Sequence, residues 1–140
     1  NYPQKLMVKQ VSEAGEQLLS LISQLLDFEN IEKSNSNTTN KEVFNVESVF
    51  DYLANVVNPT AMKKKVNLNF FLEDKNIEIE SNREYVNKIL LNIISNSIKF
   101  STENTKVTIS AKDINNESVE FRIQDEGIGI SKSNIAYIFD

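Results

Sequence analysis

Four polar side chains in this sequence stand at spacings that suit chemistry. Asn92, Asn96 and Lys99 recur at intervals of four and three within Asn92-Ile93-Ile94-Ser95-Asn96-Ser97-Ile98-Lys99-Phe100. On a helix those intervals bring two carboxamides and an ammonium to one face. Asp125 ends a later alternating stretch and opens Asp125-Glu126-Gly127-Ile128-Gly129-Ile130. There a carboxylate closes a strand and two glycines follow in a turn, where glycine tolerates positive φ and lets backbone approach a ligand. Together the segments offer contacts to both ends of a nucleotide: base at the carboxylate, phosphates and metal at the helix. Each alone also has a plain reading, as solvated asparagines in an Asn-rich chain and as an ordinary Asp-x-Gly turn.

The ordered pair, with a strand pattern between its halves, resembles the sensor histidine kinases. Within them it is similar to the ATP-binding domain of the gyrase–Hsp90–kinase–MutL superfamily. Leu90 to Phe100 looks like that family's N box, and Asp125-x-Gly127-x-Gly129-Ile130 looks like its first glycine box. The resemblance runs from about Met7 to the last residue. It implies ATP and Mg²⁺ as cofactors and a role for each site residue. Asn96 would ligate Mg²⁺ through its carboxamide oxygen, a hard donor for a hard ion. Lys99 would contact phosphate as a mobile point charge, and Asn92 would support the metal and phosphate shell. Phe100 would lie against the adenine, whose exocyclic amine would donate to Asp125. Gly127 and Gly129 would shape the turn, with Ile128 and Ile130 lining the base pocket.

One position separates kinases from the superfamily's hydrolases, which carry a Glu one turn before the metal Asn to activate water. Here that place is Asn92, and a carboxamide cannot serve as a general base. The resemblance therefore implies transfer of the γ-phosphoryl to a protein His and then to an Asp of a response-regulator receiver domain. The chain contains no His, so the acceptor must lie outside it and the chain alone is expected not to autophosphorylate. Three positions depart from the family pattern: Asn82 and Tyr85 stand where Asp and Arg are usual, and Lys88 replaces a Gln. Ile135 to Asp140 looks like the opening of the F box, so the ATP lid and second glycine box are expected beyond this chain. A non-catalytic relative acting as a dimerising regulatory module is the alternative function.

The elements that must position these groups are legible in the hydrophobic pattern. Met7, Val11, Ala14, Leu18, Leu21, Leu25 and Phe28 follow the a/d steps of bundle helices. Leu19, Ile22 and Leu26 widen that stripe beyond what a two-stranded coiled coil needs. Such a helix packs either on its own domain or in a bundle. Leu25 to Glu32 resembles the end of the second helix of the kinase dimerisation domain, which implies a homodimer. Residues 1–32 are thus read as a dimerisation helix whose first partner helix is absent, 33–41 as a linker, and 42–140 as a truncated ATP-binding domain. Within the last, strands are expected at Glu42–Val46, Val66–Leu72, Ile77–Glu80, Lys106–Lys112 and Ser118–Gln124, with a hairpin turn at Asn115-Asn116. A helix capped by Asn45 is expected to kink or end at Pro59. The N-box helix should span about Arg83 to Phe100, with Ile89, Leu90, Ile93, Ile94 and Ile98 on its core side. The fold expected is α+β: a helical stem followed by a partial Bergerat-type α/β sandwich, mixed sheet on one side and helices on the other.

Composition narrows the remaining choices. A chain of 140 residues with a net charge of −5 suits one core with an appendage and argues against a nucleic-acid binder. Lys63-Lys64-Lys65 is the only basic run and reads as a solvated helix end, favourably placed against the dipole. Absence of Cys excludes a disulfide framework and thiolate chemistry. No apolar run approaches the ~18–20 residues that cross a bilayer, so a cytoplasmic, soluble portion is expected, with any membrane anchor elsewhere in the parent.

Overall fold

Two helices begin where an asparagine can receive their free amides. The Asn45 side chain accepts from the Glu47 amide at 2.7 Å, and the Asn82 side chain accepts from the Tyr85 amide at 3.1 Å. In this computed structural model residues 1–34 and 40–139 are described, the side chains of Phe28, Asn30 and residues 31–34 excepted. Most of the linker read at 33–41 therefore lies outside the described residues, as do the Phe28 end of the heptad seam and Asp140. The chain divides into two units, Asn1–Thr39 and Asn40–Asp140.

The first unit is one long helix, α1 (Tyr2–Ser34). Its apolar stripe is uncovered, with Val11, Leu18, Leu21 and Leu25 all exposed.

The second unit runs β1 (Glu42–Asn45), α2 (Val46–Lys64), β2 (Asn67–Leu72), β3 (Glu78–Ser81), α3 (Arg83–Phe100), β4 (Lys106–Ile114), β5 (Ser118–Asp125) and α4 (Lys132–Ile135). The strands divide between the expected mixed sheet and a smaller separate one. β2, β4 and β5 form a mixed three-stranded sheet, while β1 and β3 pair separately as an antiparallel ribbon. β2 runs parallel to β4, so the chain needs a long crossover between them, and it passes through β3 and α3. The β4–β5 hairpin turns at Asn115 and Asn116, with φ of 57° and 58°. Those are the left-handed values that primed hairpin turns require and that asparagine tolerates.

α2 continues through Pro59 to Lys64, so the expected break there does not occur. It ends instead in a Schellman arrangement. Lys65 sits at φ 59°, and the Val66 amide donates to the Ala61 carbonyl at 2.9 Å.

The core lies between the two helices and the three-stranded sheet. Val49, Leu53 and Val57 of α2, Leu90, Ile94 and Ile98 of α3, and Val107, Ile109 and Ala111 of the central strand are buried. The Phe50 ring meets Phe70 edge-on at 5.4 Å between centroids and tilts against Phe121 at 6.3 Å, which carries α2 across the sheet. Ile89 and Ile93 are not core residues, being 57% and 42% exposed. The buried stripe of α3 is Leu90, Ile94, Ser97 and Ile98. At 100° per residue, Ile89 and Ile93 sit one step off that line and share the open side with Asn92 and Asn96.

Candidate functional site

α3 presents Asn92, Asn96, Lys99 and Phe100 on its exposed side. Leu90, Ile94 and Ile98 lock the opposite face into the core, so the orientation of the polar face follows from the packing. The Lys99 ammonium lies 5.4 Å from the centre of the Phe100 ring, within cation–π range. Among the described residues no hydrogen bond engages the carboxamides of Asn92 or Asn96, which leaves their oxygens available as donors to a cation.

β5 and its register with β4 place the second half. Val107 stands opposite Asp125, which brings the strand end level with the start of β4. The Glu126 carboxylate accepts from the Lys106 amide at 3.0 Å and ties the turn to that strand. Asp125 is exposed, and one of its oxygens accepts from the Gly127 amide at 2.9 Å. Its other oxygen has no partner among the described residues.

The two halves meet through backbone. The Ile128 amide donates to the Phe100 carbonyl at 3.3 Å, joining the glycine turn to the last residue of α3. Gly127 is required by that contact rather than by its own dihedrals. A Cβ there would stand 2.7 Å from the Phe100 carbonyl oxygen and 2.9 Å from Asp125 Oδ1. Gly129 is the residue with positive φ, at 73°, and a Cβ would meet nothing within 4 Å. Thus one glycine serves close approach of two protein segments and the other serves the turn. Ile128 and Ile130 are 77% and 58% exposed, beside a half-exposed Phe100.

The departures at the start of α3 have local physical roles. Asn82 caps the helix, which asparagine does about as well as aspartate. Lys88 pairs with Glu84 at 3.0 Å in the favourable order, with the acid one turn before the base.

A metal at this site would rest on few protein donors. Among the described residues no group of three or more His, Cys, Asp or Glu side chains could hold a cation. A lone carboxamide oxygen fits Mg²⁺, which keeps several waters and takes most of its remaining ligands from phosphates. A separate cleft of about 820 Å³ opens between β3 and the β4–β5 hairpin, lined by Asp74, Glu78, Glu80, Asp113 and Glu117 among others. So many carboxylates repel a polyphosphate.

Comparison with known proteins bears on the family and the fold. Residues 81–140 match the family described as histidine kinase-, DNA gyrase B- and HSP90-like ATPase. The sensor histidine kinase WalK of Bacillus subtilis is 30% identical over 142 residues, covering 99% of this chain and 22% of WalK. The autoinducer 2 sensor kinase/phosphatase LuxQ of Vibrio parahaemolyticus is 30% identical over 143 residues, covering 98% of this chain and 16% of LuxQ. Over nearly its whole length the chain is similar to sensor histidine kinases, and residues 81–140 match part of their ATPase domain. It spans less than a quarter of the length of these two relatives. Among solved structures, full-length ShkA in complex with AMPPNP is similar at TM-score 0.79 and 26% identity, over 91% of this chain and 27% of ShkA. AdeS of Acinetobacter baumannii shares the fold at TM-score 0.70 and 20% identity, over 86% of this chain and 60% of AdeS. The kinase ThkA, solved in complex with the response regulator TrrA, does so at TM-score 0.61 and 19% identity, over 80% of this chain and 35% of ThkA. The α+β architecture, a helix followed by part of the ATPase fold, is therefore that of the kinase catalytic region. Among the described residues no helix is long and apolar enough to cross a membrane.

Lys64 and Ser101 were not legible as parts of this region. The Lys64 ammonium donates to the Ile98 carbonyl at 2.9 Å and also to the Lys99 carbonyl. Ser101 Oγ donates to the Ser97 carbonyl at 2.6 Å. Position next to a helix end was the sole signal for either, and it does not say which helix is served.

Proposed function

We propose that this kinase segment binds ATP with Mg²⁺ and that its parent transfers the γ-phosphoryl group to a His outside the chain, then to an Asp of a response regulator. The observation that carries this reading is the junction of α3 with the glycine turn. It sets Phe100 against Gly127 and Ile128, with Lys99 over the Phe100 ring and Asp125 in contact with Gly127. Asp125 selects adenine through its free carboxylate oxygen, Phe100 and the two isoleucines face the base, and Lys99 meets phosphate. Asn96 holds the metal and Asn92 supports it. Bound Mg²⁺ supplies charge neutralisation across phosphate oxygens. Phosphoryl transfer depends almost wholly on such positioning and charge stabilisation. With a carboxamide at Asn92 the position one turn before Asn96 offers no general base, which favours transfer to a protein acceptor over hydrolysis. The likeness to ShkA, solved with an ATP analogue, supports the nucleotide, and that of ThkA, solved with a response regulator, supports the second acceptor. We read residues 1–32 as a dimerisation stem, 33–41 as a linker and 42–140 as part of the ATP-binding domain.

Calorimetric titration of ATP, with and without Mg²⁺, into this chain and into Asp125→Asn tests the site. Loss of one charged hydrogen bond is expected to weaken binding about tenfold or more, and Mg²⁺ is expected to tighten wild-type binding. Equal affinities for wild type and variant would remove the adenine from Asp125. Absence of any Mg²⁺ effect would remove the metal from Asn96.

A further inference from the structure

The last turn of a helix leaves four carbonyls without intrahelical partners. In α3 all four are occupied. The Ser97 carbonyl accepts from Ser101 Oγ at 2.6 Å, and the Phe100 carbonyl accepts from the Ile128 amide at 3.3 Å. Between them, the Ile98 carbonyl accepts from the Ser101 amide at 3.3 Å and from Lys64 Nζ at 2.9 Å. The Lys99 carbonyl accepts from Lys64 Nζ as well. Ser101 is local and Ile128 belongs to the glycine turn. Lys64 comes from the last turn of α2, more than thirty residues earlier, and its side chain is half-buried along the way.

A polyphosphate near Lys99 would sit at the unfavourable end of α3. The carbonyls of a helix C-terminus carry roughly half a negative charge, which repels anions within about one turn. The Lys64 ammonium lies directly on two of those carbonyls. We propose that Lys64 is a positioning residue of the nucleotide site. It fixes the end of α3 against α2, and so the placement of Lys99 and Phe100, and it neutralises the helix end that a polyphosphate must approach. This inference rests on the nucleotide reading above. Lys64 does not touch the nucleotide; it acts through the backbone that carries the two residues that do.

The two roles separate experimentally. Adenosine and ATP are titrated into the full chain as wild type, Lys64→Met, Lys64→Gln and Lys64→Arg. Amide hydrogen exchange at Ser101 and Ile128 is followed in the same four proteins. Lys64→Met is expected to lower ATP affinity about threefold to fivefold, the worth of one cation at a helix C-terminus. Adenosine affinity should fall clearly less than ATP affinity, through Phe100 alone, and Lys64→Arg should restore ATP binding. Exchange at Ser101 and Ile128 should quicken in Lys64→Met. Lys64→Gln keeps a donor without the charge, so it should protect those amides better than methionine while still losing ATP preference. An equal loss for adenosine and ATP would make the role merely structural and overturn the proposal, as would no loss for ATP in Lys64→Met. Wild type binding neither ligand sinks the nucleotide reading. The exchange data then judge the clamp alone, and unchanged rates at Ser101 and Ile128 overturn that too.

Discussion

Gly127 and Gly129 look equivalent as letters and differ in physics. Gly127 is needed because the Phe100 carbonyl oxygen occupies the space of a Cβ, 2.7 Å from its ideal position. That neighbour is backbone at a helix end already held by Ser101, Lys64 and Ile128, so it cannot yield cheaply. Gly129 is needed for its φ of 73°, in open space. Asparagine tolerates the left-handed region but still carries a Cβ. Gly129→Asn should therefore cost under about 0.5 kcal/mol, whereas Gly127→Asn should cost about 1–3 kcal/mol through overpacking. Urea unfolding of the two variants measures this, and equal losses would show that the turn, not the helix contact, governs both positions. The spacing Asp125-x-Gly127-x-Gly129 was enough to find the turn. It could not show that one glycine answers to a residue twenty-seven positions earlier, because sequence spacing does not encode tertiary approach.

At the scale of elements, what was legible follows local chemistry and what was missed follows three-dimensional neighbours. Asn45 announced α2, the asparagine pair announced the β4–β5 hairpin, and alternation announced β2, β4 and β5; each signal acts within a few residues. The separation of β1 and β3 from the larger sheet was not legible, since alternation does not name a strand's partner. Pro59 misled for a related reason. Helix interiors disfavour proline by about 3 kcal/mol in isolation, but α2 has Leu53 and Val57 before it and Ala61 after it buried in the core, and tertiary packing carries the helix through. The buried side of α3 is one step narrower than its apolar pattern implies. Ile94 is fully buried and Ile89 is 57% exposed, so the two isoleucines test the assigned face. Ile94→Ala should cost about 2–5 kcal/mol, with transfer and cavity contributions together. Ile89→Ala should cost under about 1 kcal/mol. Chemical denaturation of the pair decides it, and a larger loss at Ile89 would turn α3 by a full residue and misplace Asn92 and Asn96 with it.

At the scale of the whole molecule, the two units stand in opposite relation to water. The second has a core of its own between α2, α3 and the sheet. The first is a single helix whose Leu18 and Leu25 are 59% and 62% exposed, on a stripe that also holds Val11 and Leu21. A helix of this kind draws most of its stability from packing rather than from propensity, and it needs an apolar partner for that stripe. The a/d spacing suits an identical helix, and a second copy brings the same stripe to it, making the contact self-complementary. The chain should therefore sediment as a dimer, and Leu18→Glu combined with Leu25→Glu should shift it to monomer. Those substitutions put like charges face to face across the proposed seam, at positions that are mostly exposed in the monomer. Because the core of the second unit is built from that unit's own residues, its urea midpoint should not move. A wild-type chain that sediments as a monomer at all concentrations would remove the homodimer. A dimer that survives both substitutions would place the contact on the α/β unit, where Ile89, Ile93 and Phe100 are the exposed apolar residues of α3. That second result would also change how the nucleotide titrations are read, since the same face of α3 would then be shared between ligand and partner.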